Sequence, residues 1–267
     1  MNMIIAIDHG NSEIKTEHER FVAGFKAYAT EPPSLNENDT LFWNGSWYAL
    51  SGTRLPYRRD KAKDDDYFIL TLFAIGRELV RTNIVGGDID LAVGLPPAYV
   101  KRLAKPFETY LRRKVSFRYA GRDFNINIEN VYVFPQCWAA IVPRLGEIAK
   151  LQSCTLVDIG GYTVDIIRLK RGRPDVDTMH TLPRGVIRLF SSIHEEIEII
   201  AGNSPDDQQI SDLIAGDAST LPADEKDIII KRAENYVEEL GTQIAEELFV
   251  DARREPVFYI GGGAALL

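Results

Sequence analysis

Apolar and polar positions along the chain follow two periodicities that together predict an α/β protein. At residues 4–16 and 155–167 an apolar strand runs into Asp-x-Gly, and a short polar turn and a second strand follow. Over residues 97–114 and 224–254 the apolar positions recur at helical spacing instead, which predicts two amphipathic helices. Strands come before helices in each half, so the pattern predicts a duplicated α/β arrangement rather than a solenoid.

The remaining segments predict further strands, hairpins and helices. Asn44-Gly45 supplies the positive φ angles that a two-residue hairpin turn requires. The charged stretch 58–66 predicts a connection at the surface. The other predicted elements are a strand at 20–29, a hairpin at 41–50, a helix at 67–80, a strand at 88–96, a hairpin at 115–128, a strand at 131–136, a glycine turn with an amphipathic helix at 182–202, and a closing strand before the glycines of 257–267.

The two strand–turn–strand segments have the features of phosphate-binding loops. Glycine at the tip of a hairpin lets backbone N–H groups approach phosphate oxygens closely. Asp8 and Asp158 close the first strand of each hairpin, 150 residues apart, and a carboxylate there can hold Mg²⁺ through water. A single Asp-x-Gly is also typical of an ordinary turn-capping aspartate. Two copies in the same strand context, with a third strand that ends in three glycines, favour a nucleotide site.

These three segments, in this order, resemble the phosphate-1, phosphate-2 and adenosine motifs of the actin superfamily. Within it, residues 91–114 and 131–141 resemble the ParM/StbA group of plasmid-segregating bacterial actins, and the Gly-Leu-Pro-Pro step before a basic helix is the most group-specific piece. The resemblance implies an actin-like, ribonuclease H-like duplicated α/β fold with a nucleotide cleft between two domains. We expect domain I over residues 1–153 and domain II over residues 154–267.

The resemblance also implies roles for individual residues. Asp8 and Asp158 would organise Mg²⁺ and nearby water, with Asp158 near the attacking water. Gln136 stands where the superfamily places a residue that orients water against the γ-phosphate; ParM relatives often have glutamate there, and glutamine is a poor general base. The alternative for Gln136 is a polar helix cap. The departure from glutamate leaves the rate of hydrolysis open.

The other implied contacts fall on both sides of the nucleotide. The phosphate contacts are Gly10, Asn11, Ser12 and Lys15 on the first hairpin and Gly160, Gly161, Tyr162 and Thr163 on the second. The adenosine side would be formed by Gly185, Gly261, Gly262 and Gly263, and by Glu238 on the long helix. The alternatives are a solvated lysine for Lys15, a helix-start turn for the glycines and a solvated helix face for Glu238.

Composition narrows the classes of partner. The 267 residues are 45% hydrophobic and 26% charged, as in ordinary globular proteins. A net charge of −8 argues against direct, non-specific binding of nucleic acid. No apolar run approaches the roughly 20 residues of a transmembrane helix, so no membrane contact is expected. Cys137 and Cys154 show neither metal spacing nor a disulfide framework, which favours a reducing cytoplasm.

The function that the resemblance implies is a filament-forming ATPase. It would bind ATP, with GTP as an alternative, together with Mg²⁺, and couple hydrolysis to assembly and disassembly of filaments. Self-association and a DNA-binding adaptor protein would then move plasmid DNA. A small-molecule kinase and a chaperone-like nucleotide switch on the same fold remain alternatives. Actin-like folds continue beyond the adenosine motif with a segment that packs onto domain I, whereas four residues follow Gly263 here; we expect domain II to end early.

Overall fold

The computed structural model describes residues 2–32, 40–217, 220–247 and 252–266. The chain forms two compact units, Met1–Ala139 and Ala140–Leu267. The domain boundary after residue 153 stays a prediction. None of the helices in the described ranges is long and apolar enough to cross a membrane.

A mixed sheet forms the first unit, and within the described residues it has nine strands in the order β3-β2-β1-β7-β9-β8-β5-β6-β4. Three helices accompany it. The strands are β1 (Met3–His9), β2 (Glu13–Lys15), β3 (Arg20–Val22), β4 (Phe25–Tyr28), β5 (Thr40–Trp43), β6 (Ser46–Leu50), β7 (Gly86–Leu95), β8 (Lys114–Tyr119) and β9 (Arg122–Pro135), and the helices are α1 (Asp66–Thr82), α2 (Pro97–Leu111) and α3 (Gln136–Ala139).

The centre of this sheet is parallel, because β1 pairs with β7 and β7 pairs with β9 in the same direction. Buried positions alternate along β1, so that Ile5 and Ile7 enter the core. The core also contains Phe68 and Phe73 of α1 and Phe107 of α2. Parallel strands bring their carboxyl ends to one edge of a sheet, and this places the ends of β1, β7 and β9 side by side.

The second unit has a smaller sheet of β12-β11-β10-β14, with β13 paired to β11. The α7 side chains Leu240 and Ile244 pack on Val157 and Ile159 of β10, and α5 and α6 pack against the first half of α7. Its elements are α4 (Leu145–Ile148), β10 (Ser153–Ile159), β11 (Val164–Lys170), β12 (Arg173–Pro174), β13 (His180–Leu182), α5 (Val186–Ala201), α6 (Asp207–Ile214), α7 (Ala223–Glu247), β14 (Val257–Ile260) and 3-10 turns at Val142–Arg144, Val176–Thr178 and Gly262–Leu266.

Most predicted elements are present, with shifted bounds. The predicted hairpin at 41–50 is β5–β6, and Asn44 and Gly45 have φ values of 50° and 78°. The predicted strand 20–29 is wrong as one element, because it breaks at Gly24 into β3 and β4. A Cβ on Gly24 would lie 1.9 Å from the Thr53 carbonyl oxygen, so the chain passes another backbone there.

Three further bounds differ from the sequence predictions. Residues 122–135 form one long strand, whereas two separate elements were predicted, and its register against β7 shifts between Ile89 and Asp90. The helix predicted at 97–114 ends at Leu111, because Arg112 adopts extended backbone angles. The long helix runs from Ala223 to Glu247; positions 248–251 of the predicted helix lie outside the described residues.

Candidate functional site

The carboxyl ends of the three central strands of the first unit form one cluster of polar groups. Asp8 is exposed near the end of β1, and Gln136 begins α3 directly after β9. The Gln136 Nε2 atom donates a hydrogen bond to Asp8 Oδ1 at 2.5 Å. Gly94 lies on β7 between them, where a Cβ would be 2.7 Å from Gln136 Cγ. The missing side chain at residue 94 therefore allows the amide and the carboxylate to meet.

The loop between β1 and β2 is held by groups outside the hairpin. Asn11 Oδ1 accepts hydrogen bonds from the Arg58 N–H at 3.1 Å and from the Tyr67 hydroxyl at 2.8 Å. The Ser12 carbonyl oxygen accepts from the Ala23 N–H at 3.0 Å. Gly10 is required by close approach, because a Cβ there would lie 2.5 Å from the Glu13 carbonyl oxygen. These contacts join the loop to Arg58, Tyr67 and Ala23.

His9 anchors the same loop in the core. Its ring is fully buried, and Nε2 lies 2.8 Å from the Thr71 hydroxyl oxygen. Because that hydroxyl donates to the Tyr67 carbonyl, it accepts from His9, which assigns the proton to Nε2. Burial, and then the positive charge of Lys61, lower the pKa of His9 to about 3. His9 is therefore neutral at pH 7 and supports the fold rather than catalysis.

In the second unit the loop after β10 is held by the start of α5. The N–H groups of Gly185, Val186 and Ile187 donate to the carbonyl oxygens of Tyr162, Gly160 and Gly161 at 3.1, 3.0 and 2.9 Å. No peptide bond within the described residues is cis, and a trans peptide directs its C=O and N–H to opposite sides. The N–H groups that follow these three carbonyls therefore point away from α5. Successive amides that share a direction form a concavity suited to an anion.

Gly185 makes this arrangement sterically possible. A Cβ at residue 185 would lie 2.2 Å from the Gly161 carbonyl oxygen and 2.5 Å from the Tyr162 carbonyl carbon. Both of these atoms belong to the backbone, so they cannot move aside as a flexible side chain would. The structure thus gives Gly185 a role in supporting the 160–162 turn, and its predicted place on the adenosine side stays a prediction.

The three glycines after β14 have different surroundings. Gly261 has a φ of 89°, and a Cβ there would lie 2.2 Å from Asp158 Oδ1. A Cβ on Gly263 would lie 2.4 Å from Ile159 Cγ2 and 2.6 Å from Val186 Cγ1. Around Gly262 the space is open, with nothing within 4 Å. Gly261 therefore lies against the Asp158 carboxylate, Gly263 packs against Ile159 and Val186, and Gly262 has open space around it.

Glu238 lies in a groove of about 480 Å³ between the turn before α5 and one face of α7. Arg184 Nη1 forms an ion pair with Glu239 Oε2 at 3.2 Å on the same groove, and the Tyr236 hydroxyl donates to the Arg184 carbonyl. Burial raises the pKa of Tyr236 to about 12, although the charge of Arg184 lowers it, so the hydroxyl stays a donor. The groove offers carboxylate, hydroxyl and amide groups, which can form hydrogen bonds with the hydroxyls and ring nitrogens of a nucleoside. The groove lining is Arg184, Asn235, Glu238, Glu239, Thr242, Gln243 and Glu246.

Two polar residues near the loops already have partners in the fold. Lys15 is half exposed, and its Nζ lies 3.7 Å from Glu13 Oε2, so its contact with phosphate stays a prediction. Asp165 is buried and accepts hydrogen bonds from the hydroxyls of Thr181 at 2.6 Å and Thr163 at 3.4 Å. Asp165 therefore ties the return strand of the second hairpin to β13.

The carboxylates at the two loops fit Mg²⁺ better than a metal that needs a full set of protein ligands. Among the described residues no group of three or more His, Cys, Asp or Glu side chains could hold a metal ion. Asp8 and Asp158 each end a strand beside a glycine-rich turn. Mg²⁺ keeps several waters and takes only one or two carboxylates, and it is satisfied by such sparse donors.

Family models match most of the sequence. Residues 6–138 match the N-terminal domain of actin-like proteins, and residues 156–267 match the C-terminal domain of the archaeal MreB-like actin homologue. The chain belongs to the actin superfamily. The actin-like fold expected from the two hairpins and the glycine strand is thereby confirmed, as is the likeness to ParM. No curated protein matches the sequence.

Several solved structures of archaeal and bacterial actin homologues are similar in fold to this actin-like chain. Ta0583, an archaeal actin homologue, is 18% identical with a TM-score of 0.74 over 99% of this chain and 88% of that one. ParM of Bacillus thuringiensis with ATP is 13% identical, with a TM-score of 0.65 over 100% and 89%. AlfA, in a filament bound to AMPPNP, is 14% identical, with a TM-score of 0.54 over 90% and 99%. At these identities the likeness concerns the fold.

Sequence reasoning on this actin-like chain missed three residues of the site. Gly94 separates Asp8 from Gln136, Arg184 lines the groove of Glu238, and Lys61 contacts the first loop. Gly94 stands in the Gly-Leu-Pro-Pro step, so its signal was visible but was attributed to family membership. Lys61 lies in a charged run that was interpreted as a solvated connection, and no local signal marks it as buried.

Proposed function

We propose that the chain is a filament-forming ATPase that binds ATP, with GTP as an alternative, together with Mg²⁺. The contact between Asp8 and Gln136 on an actin-like fold is the observation that carries this proposal. It joins a candidate metal carboxylate to a candidate water-orienting amide at the ends of β1 and β9, the two strands that flank β7. The Ta0583 complex with ADP and the ParM complex with ATP support nucleotide binding by this fold.

The phosphates would be bound mainly by backbone. The N–H groups of Gly161, Tyr162 and Thr163 share a direction away from α5, and the first loop contributes Gly10, Asn11 and Ser12. Lys15 and Glu238 would add a charge near the phosphates and a contact to the ribose or base. Gly185 would keep the second loop in place, and Gly261 would keep Asp158 in place. Gly262 would leave room for the nucleoside, and Gly263 would support the second loop and Asp158 through its packing against Ile159 and Val186.

Catalysis would use neutral and carboxylate groups with separate roles. Asp8 and Asp158 would hold Mg²⁺ through water, and the ion would neutralise charge on the phosphate oxygens. Gln136 would orient the attacking water through its amide, with Nε2 held by Asp8 so that the Oε1 atom can accept from water. Asp158 would lie near the same water. A glutamine positions water without removing its proton, so slow hydrolysis is expected from an isolated subunit.

Hydrolysis would determine how long the filaments stay assembled. The γ-phosphate makes contacts that ADP cannot make, so it can shift the population towards a conformation that assembles. The AlfA filament is bound to AMPPNP, which supports assembly of a related fold with a triphosphate analogue bound. We propose that the filaments move plasmid DNA in the cytoplasm through a DNA-bound adaptor protein, without direct contact to nucleic acid or membrane. The chain charge of −8 favours an indirect contact with DNA.

The test combines assembly with turnover. Light scattering and pelleting are measured with Mg²⁺ and ATP, a slowly hydrolysed ATP analogue, ADP or no nucleotide, while phosphate release is followed in parallel. Assembly that requires triphosphate, persists with the analogue and decays with phosphate release is the expected result. Tight ATP binding with no assembly at any protein concentration would refute the filament proposal, and transfer of phosphate to an added small molecule would favour a kinase.

Matched variants make the test specific to the site. Asp158→Asn should abolish phosphate release while leaving the melting temperature near that of the wild type. Asp177→Asn is the control, because Asp177 is an exposed aspartate in the same unit at the 3-10 turn. Loss of a plasmid that carries the gene and its flanking DNA should increase with Asp158→Asn only. Equal plasmid retention by both variants would refute the segregation role.

A further inference from the structure

The segment 51–65 crosses the first phosphate loop without forming a helix or strand. It is tied to the loop region at three places along its length. The Leu55 N–H donates to the Ala23 carbonyl oxygen at 2.8 Å, the Arg58 N–H donates to Asn11 Oδ1 at 3.1 Å, and Lys61 Nζ donates to the His9 carbonyl oxygen. The segment therefore contacts the loop through backbone and side-chain donors alike.

Lys61 is unusual among these contacts because it is buried. Its side chain is 2% exposed, and Nζ lies 5.3 Å from the centre of the Tyr67 ring. Lys63, two residues further on, is exposed. Burial of an ammonium group costs several kcal/mol unless nearby groups compensate it. The hydrogen bond to the His9 carbonyl oxygen and the neighbouring Tyr67 ring are among the contacts that compensate this cost for Lys61.

The contact with Lys61 fixes the direction of one peptide. The His9 carbonyl oxygen faces Lys61, and in a trans peptide the following N–H points to the opposite side. The N–H of Gly10 therefore points away from Lys61. The second loop is arranged by the same rule, with α5 in place of Lys61 as the source of donors. One loop is oriented by neutral amides and the other by a charged side chain.

We propose that Lys61 is a positioning residue for the nucleotide phosphates: it turns the Gly10 N–H towards the side from which phosphate approaches, and its charge favours ATP over ADP. This inference rests on the proposed nucleotide site. ATP carries one more negative charge than ADP, and a cation in a poorly solvated place acts on that charge more strongly than one in water. Lys61 thereby adds a long-range electrostatic attraction to the hydrogen bonds that the loop backbone offers.

The test compares three variants and three ligands. Lys61→Met removes the donor and the charge, Lys61→Gln keeps a neutral donor, and Lys63→Met removes an exposed charge from the same segment. Dissociation constants for adenosine, ADP and ATP with Mg²⁺ are measured by calorimetry, below the melting temperature of every variant. Hydrogen exchange at residues 9–12 is measured without nucleotide, which reports loop order independently of binding.

For Lys61→Met we expect ATP affinity to fall about 10- to 100-fold, as for a lost charged hydrogen bond, with a smaller loss for ADP and none for adenosine. Exchange at residues 9–12 should become faster. Lys61→Gln should restore slow exchange and only part of the ATP affinity, and Lys63→Met should stay within about twofold of the wild type.

Several outcomes would overturn the inference. Equal ATP affinity in Lys61→Met and Lys63→Met, or unchanged exchange at residues 9–12, would remove the positioning role while leaving the proposed ATPase intact. Equal losses for adenosine, ADP and ATP would show that Lys61 acts on the fold as a whole. A wild type that binds ATP no more tightly than adenosine would refute the phosphate site itself, and the role of Lys61 with it.

Discussion

Gly261→Ala should disturb Asp158 without removing any side chain. The backbone at residue 261 has a φ of 89°, which L-residues with a Cβ adopt at a cost of about 1–2 kcal/mol. The new Cβ would also lie 2.2 Å from Asp158 Oδ1 and 2.7 Å from the Ile159 carbonyl oxygen. The carboxylate can rotate away, but the backbone carbonyl can move only with strand β10. We therefore expect a total destabilisation of about 2–3 kcal/mol, with the excess over the φ term due to overpacking.

The adjacent glycine supplies the control. Gly262 has open space around it and no positive φ, so Gly262→Ala should change the free energy of unfolding by at most about 0.5 kcal/mol. For a chain of this size, a loss of 1 kcal/mol lowers the melting temperature by about 2–4 °C, so Gly261→Ala should melt about 4–12 °C lower. Thermal unfolding followed by circular dichroism measures both variants.

Phosphate release under saturating Mg²⁺ and ATP completes the experiment. Displacement of the Asp158 carboxylate should reduce turnover by at least about tenfold, because misplacement of a reacting group by about 1 Å can cost about 100-fold. Gly262→Ala is a control for stability alone, because residue 262 itself faces the proposed nucleoside side. Melting temperatures of the two variants that agree within 1 °C would refute the steric reasoning. Normal turnover in a destabilised Gly261→Ala would instead show that Asp158 does not act in hydrolysis.

Four more substitutions test other parts of the structure. Gln136→Ala should lower phosphate release about 10- to 100-fold while ATP affinity, measured by calorimetry, changes less than about threefold; unchanged release would exclude Gln136 as the residue that orients water. Gly185→Ala should destabilise by about 1–3 kcal/mol in thermal melts through its contact with the Gly161 backbone, whereas Gly241→Ala, in open space on α7, should stabilise by about 0.5–1 kcal/mol. Burial raises the pKa of Glu78, but hydrogen bonds from Thr16 and His18 lower it further, so the net shift is downward. Its stabilising effect is complete above the unfolded pKa and is lost as pH falls through the folded pKa, so urea unfolding should show Glu78→Gln about 1–3 kcal/mol less stable at pH 7 and closer to the wild type below pH 4.

The sequence predicted the parts of the fold that depend on local chemistry. Asn44-Gly45 requires positive φ, and the hairpin forms there. The two Asp-x-Gly turns end buried strands as expected. The joining of residues 122–135 into one strand was not predicted, because the polar stretch in its middle breaks the apolar alternation. In the structure β7 pairs with residues 125–135 and so carries the strand through that stretch. Pairing between distant strands is not visible in a local pattern.

The site residues that belong to glycine or aspartate motifs were predicted from the sequence. The residues and contacts that depend on tertiary packing were missed. Lys61 sits in a run of charges whose ordinary interpretation is a solvated surface. Its burial and its contact with the His9 carbonyl distinguish it from Lys63. Gly185 was assigned to the adenosine side through the resemblance to the actin superfamily. Its contact with the Gly161 backbone comes from tertiary packing of α5 on the turn, which no spacing rule encodes.

The two phosphate loops achieve the same orientation of their amides by different supports, and this difference has a physical consequence. At the second loop the donors are neutral backbone amides at the start of α5. Because the helix holds these amides in place, the loop is as rigid as the attachment of α5. At the first loop the ammonium group of Lys61 and the rest of the 51–65 segment support the backbone, and this segment has no helix or strand of its own. Local opening favours elements with few backbone hydrogen bonds of their own. We therefore expect the first loop, rather than the second, to gain order when triphosphate binds. The negative charge of the triphosphate attracts the ammonium group of Lys61, which supports the first loop, whereas the amides that support the second loop are neutral.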